Sequence, residues 1–158
     1  MKPFRRLTWD AGELSSALKI DLSSVQEYFT DGRRVSFIIE RRLKAELGFL
    51  LAPSEGAAFD LVDGQGDKWE ARNITSSGVY FCPSYMVGSG RSFDEPGFLR
   101  KLKHIKGYIL TDIEEFPNVP CWMIPKEAVE EWYETGRLGA GTKISREKAL
   151  NLIEMLAL

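Results

Sequence analysis

From Glu55 to Thr75 the chain reads E-G-A-A-F-D-L-V, then D-G-Q-G, then D-K-W-E-A-R-N-I-T, and no other stretch constrains the fold as much. Asp63-Gly64-Gln65-Gly66 has the composition of a tight turn. The runs on either side alternate, which predicts a β-hairpin. Folding about its middle brings Asp60 opposite Glu70 and Val62 opposite Lys68. Asp60, Glu70 and Arg72 then share one face, while Phe59, Leu61, Trp69 and Ala71 share the other and are free to pack on a helix. Two carboxylates directly across a strand pair repel. A divalent cation such as Mg²⁺ would relieve that repulsion through hard oxygen ligands. The adjacent guanidinium of Arg72 would relieve it too, as a three-charge surface patch.

The rest of the chain supplies elements around this hairpin. Asp10 is placed to cap a first helix carrying Leu14, Ala17 and Leu18 on one side and ending near Ile20. Ser23 to Phe29 predicts a second, with Val25, Tyr28 and Phe29 apolar and Thr30-Asp31-Gly32 as its stop. The pair reads either as a helix-turn-helix or as a plain helical hairpin, since Lys19 and Ser15 stand where that motif usually has glycine and alanine. Arg33 to Leu47 predicts a longer helix closed by Gly48, with Val35, Ile38, Ile39, Leu43 and Leu47 as its core stripe and Glu40 at the margin. Its Arg33, Arg34, Arg41, Arg42 and Lys44 make a solvated basic face or a phosphate-facing one.

After the hairpin, Val79-Tyr80-Phe81 reads as a continuing strand, and Ser84 to Ser92, with Tyr85, Met86 and Arg91, as a glycine-rich loop. Gly97 to Ile105 predicts a basic helix with Phe98, Leu102 and Ile105 inward and Arg100, Lys101, Lys103 and His104 outward. Gly107 to Ile113 and Val119 to Ile124 are strand patterns. Pro125 opens a helix through Tyr133, and Ser145 begins a last one that packs through Leu150, Ile153 and Leu156. The order implies an α/β layered domain.

Length and composition bound the class. With 158 residues, 44% hydrophobic and 28% charged, the chain is expected to form a single domain with its own core. A net charge of −2 argues against a protein that coats nucleic acid non-specifically, without excluding a local basic face. Cys82 and Cys121 are too few for a zinc motif and read as buried thiols. No stretch has the length of a signal peptide or a membrane span, so a soluble, cytoplasmic protein is expected. His104 has no carboxylate or cysteine placed beside it by the sequence, which leaves it a surface residue.

Asp60, nine residues, then Glu70-x-Arg72 on the next strand resembles the PD-(D/E)xK signature of type II restriction endonucleases. Glu55-Gly56, Asp60, Val62-Asp63, Gly66, Glu70 and Ile74 fall in places similar to those of the PvuII-like members. The likeness covers Glu55 to Thr75 and, beyond it, only a compatible order of elements. Phe59 replaces the proline of the signature, and Arg72 replaces its lysine. A guanidinium stays charged, so it cannot accept a proton from water, though it can hold a phosphate.

The resemblance implies a restriction-endonuclease-like mixed sheet flanked by helices. Within a single 1–158 nuclease domain it implies a helical segment at 1–31, a nuclease core at 33–134 and a C-terminal helix at 142–158. It implies Asp60 and Glu70 as ligands of Mg²⁺, with Mn²⁺ as a substitute, and Arg72 as the third catalytic residue. Glu40 and Glu55 become supporting carboxylates, and Arg33, Arg34, Arg41, Tyr85, Arg91, Lys101 and Lys103 candidate DNA contacts. The activity implied is sequence-specific cutting of double-stranded DNA by a homodimer in a restriction system, with Arg72→Lys keeping or raising it. A helix-turn-helix DNA-binding protein without nuclease activity, reading bases through Ser24, Gln26 and Glu27, and a small α/β interaction protein are the alternatives.

Overall fold

The computed structural model describes residues 1–54 and 56–156. In chain order the elements are β1 (Arg5–Thr8), α1 (Ala11–Leu18), α2 (Leu22–Phe29), α3 (Gly32–Leu47), β2 (Leu50–Leu51), β3 (Leu61–Val62), β4 (Lys68–Ile74), β5 (Val79–Tyr80), α4 (Glu95–His104), β6 (Gly107–Asp112), β7 (Asn118–Pro125), α5 (Lys126–Glu134), β8 (Lys143–Ile144) and α6 (Arg146–Met155). Six strands form one mixed sheet in the order β1-β7-β6-β4-β3-β2, and β5 with β8 forms a second, two-stranded one. β4 and β6 run parallel, joined through α4, and the other pairs of the large sheet are antiparallel.

The large sheet is covered on both faces. Val35, Ile39 and Leu43 of α3, with Val25 and Phe29 of α2, pack against Leu61, Trp69, Ile109 and Cys121. On the opposite face Phe98 and Leu102 of α4, Val129 and Trp132 of α5, and Leu152 and Ile153 of α6 pack against Ile74, Tyr108, Leu110 and Trp122. Successive β6 residues divide between the two clusters, as a strand buried on both sides requires. The end of β6 is tied to α6 by Arg146, whose guanidinium donates to both carboxylate oxygens of buried Asp112 and to Glu115.

Local signals account for the helix ends. Asp10, Asp21, Asp31 and Ser145 each cap a helix by accepting a backbone N–H, and Gly48 closes α3 at φ 72°. The α3 stripe divides as its spacing implies: Val35, Ile39 and Leu43 are buried, while Ile38 and Leu47 are half-buried.

Several expectations need correction. β1 was not foreseen, because Arg5, Arg6 and Thr8 are exposed and only Leu7 enters the core, a weak pattern that suits an edge strand. Val79-Tyr80 does not continue the large sheet. The chain reverses at Gly78, at φ 105° and so close to Ile144 that an added Cβ would lie 2.0 Å from its carbonyl oxygen, and β5 pairs instead with β8. Phe59 does not share a face with Leu61 and Trp69. The chain bends at Asp60, and Phe59 packs on the α4 side. α1 buries no residue, and Leu18 is exposed. α6 packs chiefly through Ala149, Leu152 and Ile153, with Leu150 only half-buried, because its contact stripe is rotated by about an eighth of a turn. Residues 157–158 of the expected C-terminal segment lie outside the described residues.

Candidate active site

The predicted pairing of Val62 with Lys68 is observed, with Leu61 facing Trp69, and Asp60 lies just outside the paired residues. β3 stops there while β4 runs on to Ile74, so the two strands part at the carboxylates. Asp60 spans the opening: its backbone N–H donates to the Trp69 carbonyl at 3.0 Å, and its Oδ2 accepts the Ala71 N–H at 2.9 Å. The turn is fastened by Asp63, which accepts the N–H groups of Gln65 and Asp67 and the indole N–H of Trp69.

Glu70 is nearly sealed, with 6% of its side chain exposed, and two cations hold it. Arg72 Nη1 lies 2.7 Å from Oε1, and Lys101 Nζ lies 2.5 Å from Oε2, close but out of line for a hydrogen bond. The guanidinium of Arg72 also donates to the carbonyls of Ala71 and Cys82 at 3.2 and 3.1 Å and stacks over Tyr80. Burial works against its charge, but Glu70, with Tyr80 and Asp60 behind it, holds its pKa above the ordinary value. Its buried Nε has no partner among the described residues.

Lys101 was expected to point outward and does not: its side chain is only 11% exposed. The signal lay in the spacing. Phe98, Lys101, Leu102 and Ile105 are positions i, i+3, i+4 and i+7 of one helical stripe, so Lys101 belongs to the buried face of α4. It is the site residue whose place the hairpin pattern could not reveal, because it comes from a separate element.

The third carboxylate belongs to α3. Burial, then the neighbouring charge of Asp60, pushes the pKa of Glu40 up to about 7, and Glu70 adds to the rise. Burial and then Glu70 push Asp60 up to about 6, although the Ala71 N–H opposes this. At both groups burial is the larger cause and the charge of a neighbouring carboxylate the second. Glu55 lies outside the described residues.

These are hard oxygen donors of the kind that suits Mg²⁺ or Mn²⁺, and their reluctance to ionise together is the property a bound cation would remove. Among the described residues no three His, Cys, Asp or Glu side chains stand close enough to enclose a metal ion. The donors therefore fit such an ion in chemistry, while Arg72 and Lys101 take the place of positive charge on Glu70. Cys82 and Cys121 are buried free thiols, and burial pushes Cys121 up to about 12.

Beside Arg72 a groove of about 890 Å³ opens between the start of α3, the outer edge of β4 and the 84–88 loop. A smaller hollow of about 440 Å³ shares Arg33, Tyr80 and Ser84 with it and adds Arg91. Of the candidate DNA contacts, Arg33 and Arg91 meet there. Arg91 is partly committed, donating to the carbonyls of Ser84 and Val87. Arg34 pairs with Asp31 at 3.6 Å, Arg41 lies over the exposed ring of Phe37, and Lys103 is exposed on the outer side of α4. Tyr85 is exposed and lies against the first turn of α4. His104 is exposed, as expected.

No family model matches the chain, and no curated protein matches it. No helix among the described residues is long and apolar enough to cross a membrane.

Proposed function

We propose that the chain is a divalent-metal-dependent endonuclease with a restriction-endonuclease-like core, hydrolysing phosphodiester bonds of double-stranded DNA. The observation that carries this reading is the opening between β3 and β4, where Asp60 accepts the Ala71 N–H next to Glu70 and the Lys101 amine lies against Glu70. The order of elements supports it as well: a helix, an antiparallel meander of β2, β3 and β4, a second helix, and a strand parallel to β4.

Each residue has a role its chemistry suits. Asp60 and Glu70 would hold Mg²⁺, or Mn²⁺ in its place, with Glu40 as a supporting carboxylate behind them. When bound, that ion supplies Lewis acidity and neutralises charge developing on the phosphate. Arg72 is anchored at Ala71, Cys82 and Glu70, so its task is to orient the carboxylate and add fixed positive charge. It does not exchange protons. Lys101 can, because an ammonium gives up its proton far more readily than a guanidinium. Lys101 therefore takes the position of the amine that the strand itself lacks; after giving its own proton to solvent, the neutral amine would orient the attacking water and accept its proton. Two copies related by a two-fold axis would cut both strands of a palindromic site, as a restriction system requires.

Supercoiled plasmid incubated with Mg²⁺ tests the reading. The parent is expected to nick and linearise it, Asp60→Asn to lose cutting while keeping its melting temperature, and Glu70→Gln to lose cutting and melt lower, because it leaves Arg72 and Lys101 without their counter-charge. Lys101→Met should slow cutting by about 10²- to 10⁴-fold. A parent that never cuts with either metal, or an Asp60→Asn variant that cuts at the parental rate, would sink the proposal.

A second reading rests on α1 and α2, whose connection passes through Lys19 in the left-handed conformation at φ 57° with Gln26 and Glu27 exposed beyond it. A helix-turn-helix protein would bind DNA through Gln26 and Glu27 and be indifferent to Asp60→Asn.

A further inference from the structure

The groove beside Arg72 bears on the form of the substrate, an inference that rests on the nuclease reading above. The reacting groups are recessed: Glu70, Lys101 and Arg72 have side chains only 6%, 11% and 12% exposed. A DNA duplex is stiff over far more than the width of this protein, so it cannot bend its backbone down to a sealed floor. A strand free of its partner can.

The lining suits such a strand. Arg33 and Lys143 are exposed cations on the groove wall, and the nearest acid, Asp31, is engaged in capping α3 and pairing with Arg34. Tyr80 and Phe93 offer half-buried rings to the same space. Sequence-tolerant binding of unpaired nucleic acid combines these features, cations along the backbone and aromatic faces on which bases stack.

The floor adds hydrogen-bonding capacity. β3 ends before Glu70, so the outer edge of β4 has no strand beside it. The Trp69 carbonyl and the Ala71 N–H both point outward, to Asp60. With the two-residue period of a strand, the backbone groups of Asn73 point outward too, into the groove. The Asn73 side chain is spent on Gly32, Ser36 and Thr111, leaving the backbone as the polar contact there.

We infer that this groove holds an unpaired segment of the nucleic-acid strand, so that a duplex substrate is locally opened beside the place where it is cut.

Binding measured in EDTA, where no cutting occurs, tests this. Fluorescently labelled short DNA of mixed sequence is presented as a single strand, as a duplex with a central mismatched bubble, and as the fully matched duplex at the same salt concentration. The single strand and the bubble are expected to bind at least about tenfold more tightly than the matched duplex. Ser84→Trp, which fills the groove from an exposed position, and the double variant Arg33→Glu with Lys143→Glu should each abolish that preference without lowering the melting temperature. Equal or tighter binding of the matched duplex would overturn the inference, as would an unchanged preference in folded Ser84→Trp. The outcomes stay separable from the nuclease reading. Preference for unpaired DNA in a protein that never cuts rejects the nuclease alone, and efficient cutting of matched duplex without any preference rejects the groove assignment alone.

Discussion

Glu40 and Asp60 hold their protons more tightly in the folded chain than an exposed carboxyl does, and this sets the sign of a pH effect. The stability each contributes is complete below its ordinary value, 4.5 for Glu40 and 3.8 for Asp60, and is lost as pH rises through about 7 and about 6 respectively. In EDTA the melting temperature is therefore expected to fall between about pH 5 and about pH 8, with a shallower fall in Glu40→Gln. Added Mg²⁺ should raise it more at the upper end, where both carboxylates are ionised. An identical slope in Glu40→Gln would remove this carboxyl from the account. Arg72 makes a second prediction at the same scale. Lysine there could keep a charge beside Glu70 but not the donations to Ala71 and Cys82. Arg72→Lys is expected to cost about 1–3 kcal/mol in denaturant unfolding while retaining cutting, since proton exchange is assigned to Lys101. Unchanged stability would mean those two bonds contribute nothing.

At the scale of elements, the site is assembled at a place where a short strand gives out. β3 pairs with β4 over two residues and then leaves it, so Asp60 turns its carboxylate onto the vacated Ala71 N–H. α3 brings Glu40 from one face of the sheet and α4 brings Lys101 from the other. The far edge is closed by β1, which depends on one side chain: Leu7 is fully buried among α2, α3 and β7 residues, while its neighbours are exposed. Leu7→Ala is expected to lower stability by about 2–5 kcal/mol, as large-to-small changes in a core do. A loss below about 1 kcal/mol by thermal or denaturant melting would show that backbone pairing with β7 holds this edge unaided.

Across the whole molecule, two helical layers enclose one mixed sheet and leave its β4 edge open beside the carboxylates. Much of this was legible from local patterns. The α3 stripe, the Asp10 cap, the turn at Asp63 to Gly66 and the pairing of Val62 with Lys68 all follow from interactions within a few residues of each other, which sequence spacing reports directly. β1 and the pairing of β5 with β8 were not legible, because short edge strands bury too little to leave a periodic trace and draw their hydrogen bonds from distant segments. The site divides in the same way. The sequence alone determined which acidic and basic groups the hairpin carries and that they lie on one face. Only the tertiary structure decided that Arg72 is tied to backbone carbonyls and that Glu40 lies near enough to Asp60 and Glu70 to feel their charge. It also decided that the lysine beside Glu70 is Lys101. The reason is physical: charge–charge contacts between separate elements depend on how helices seat on a sheet, and that packing is set by the whole core at once.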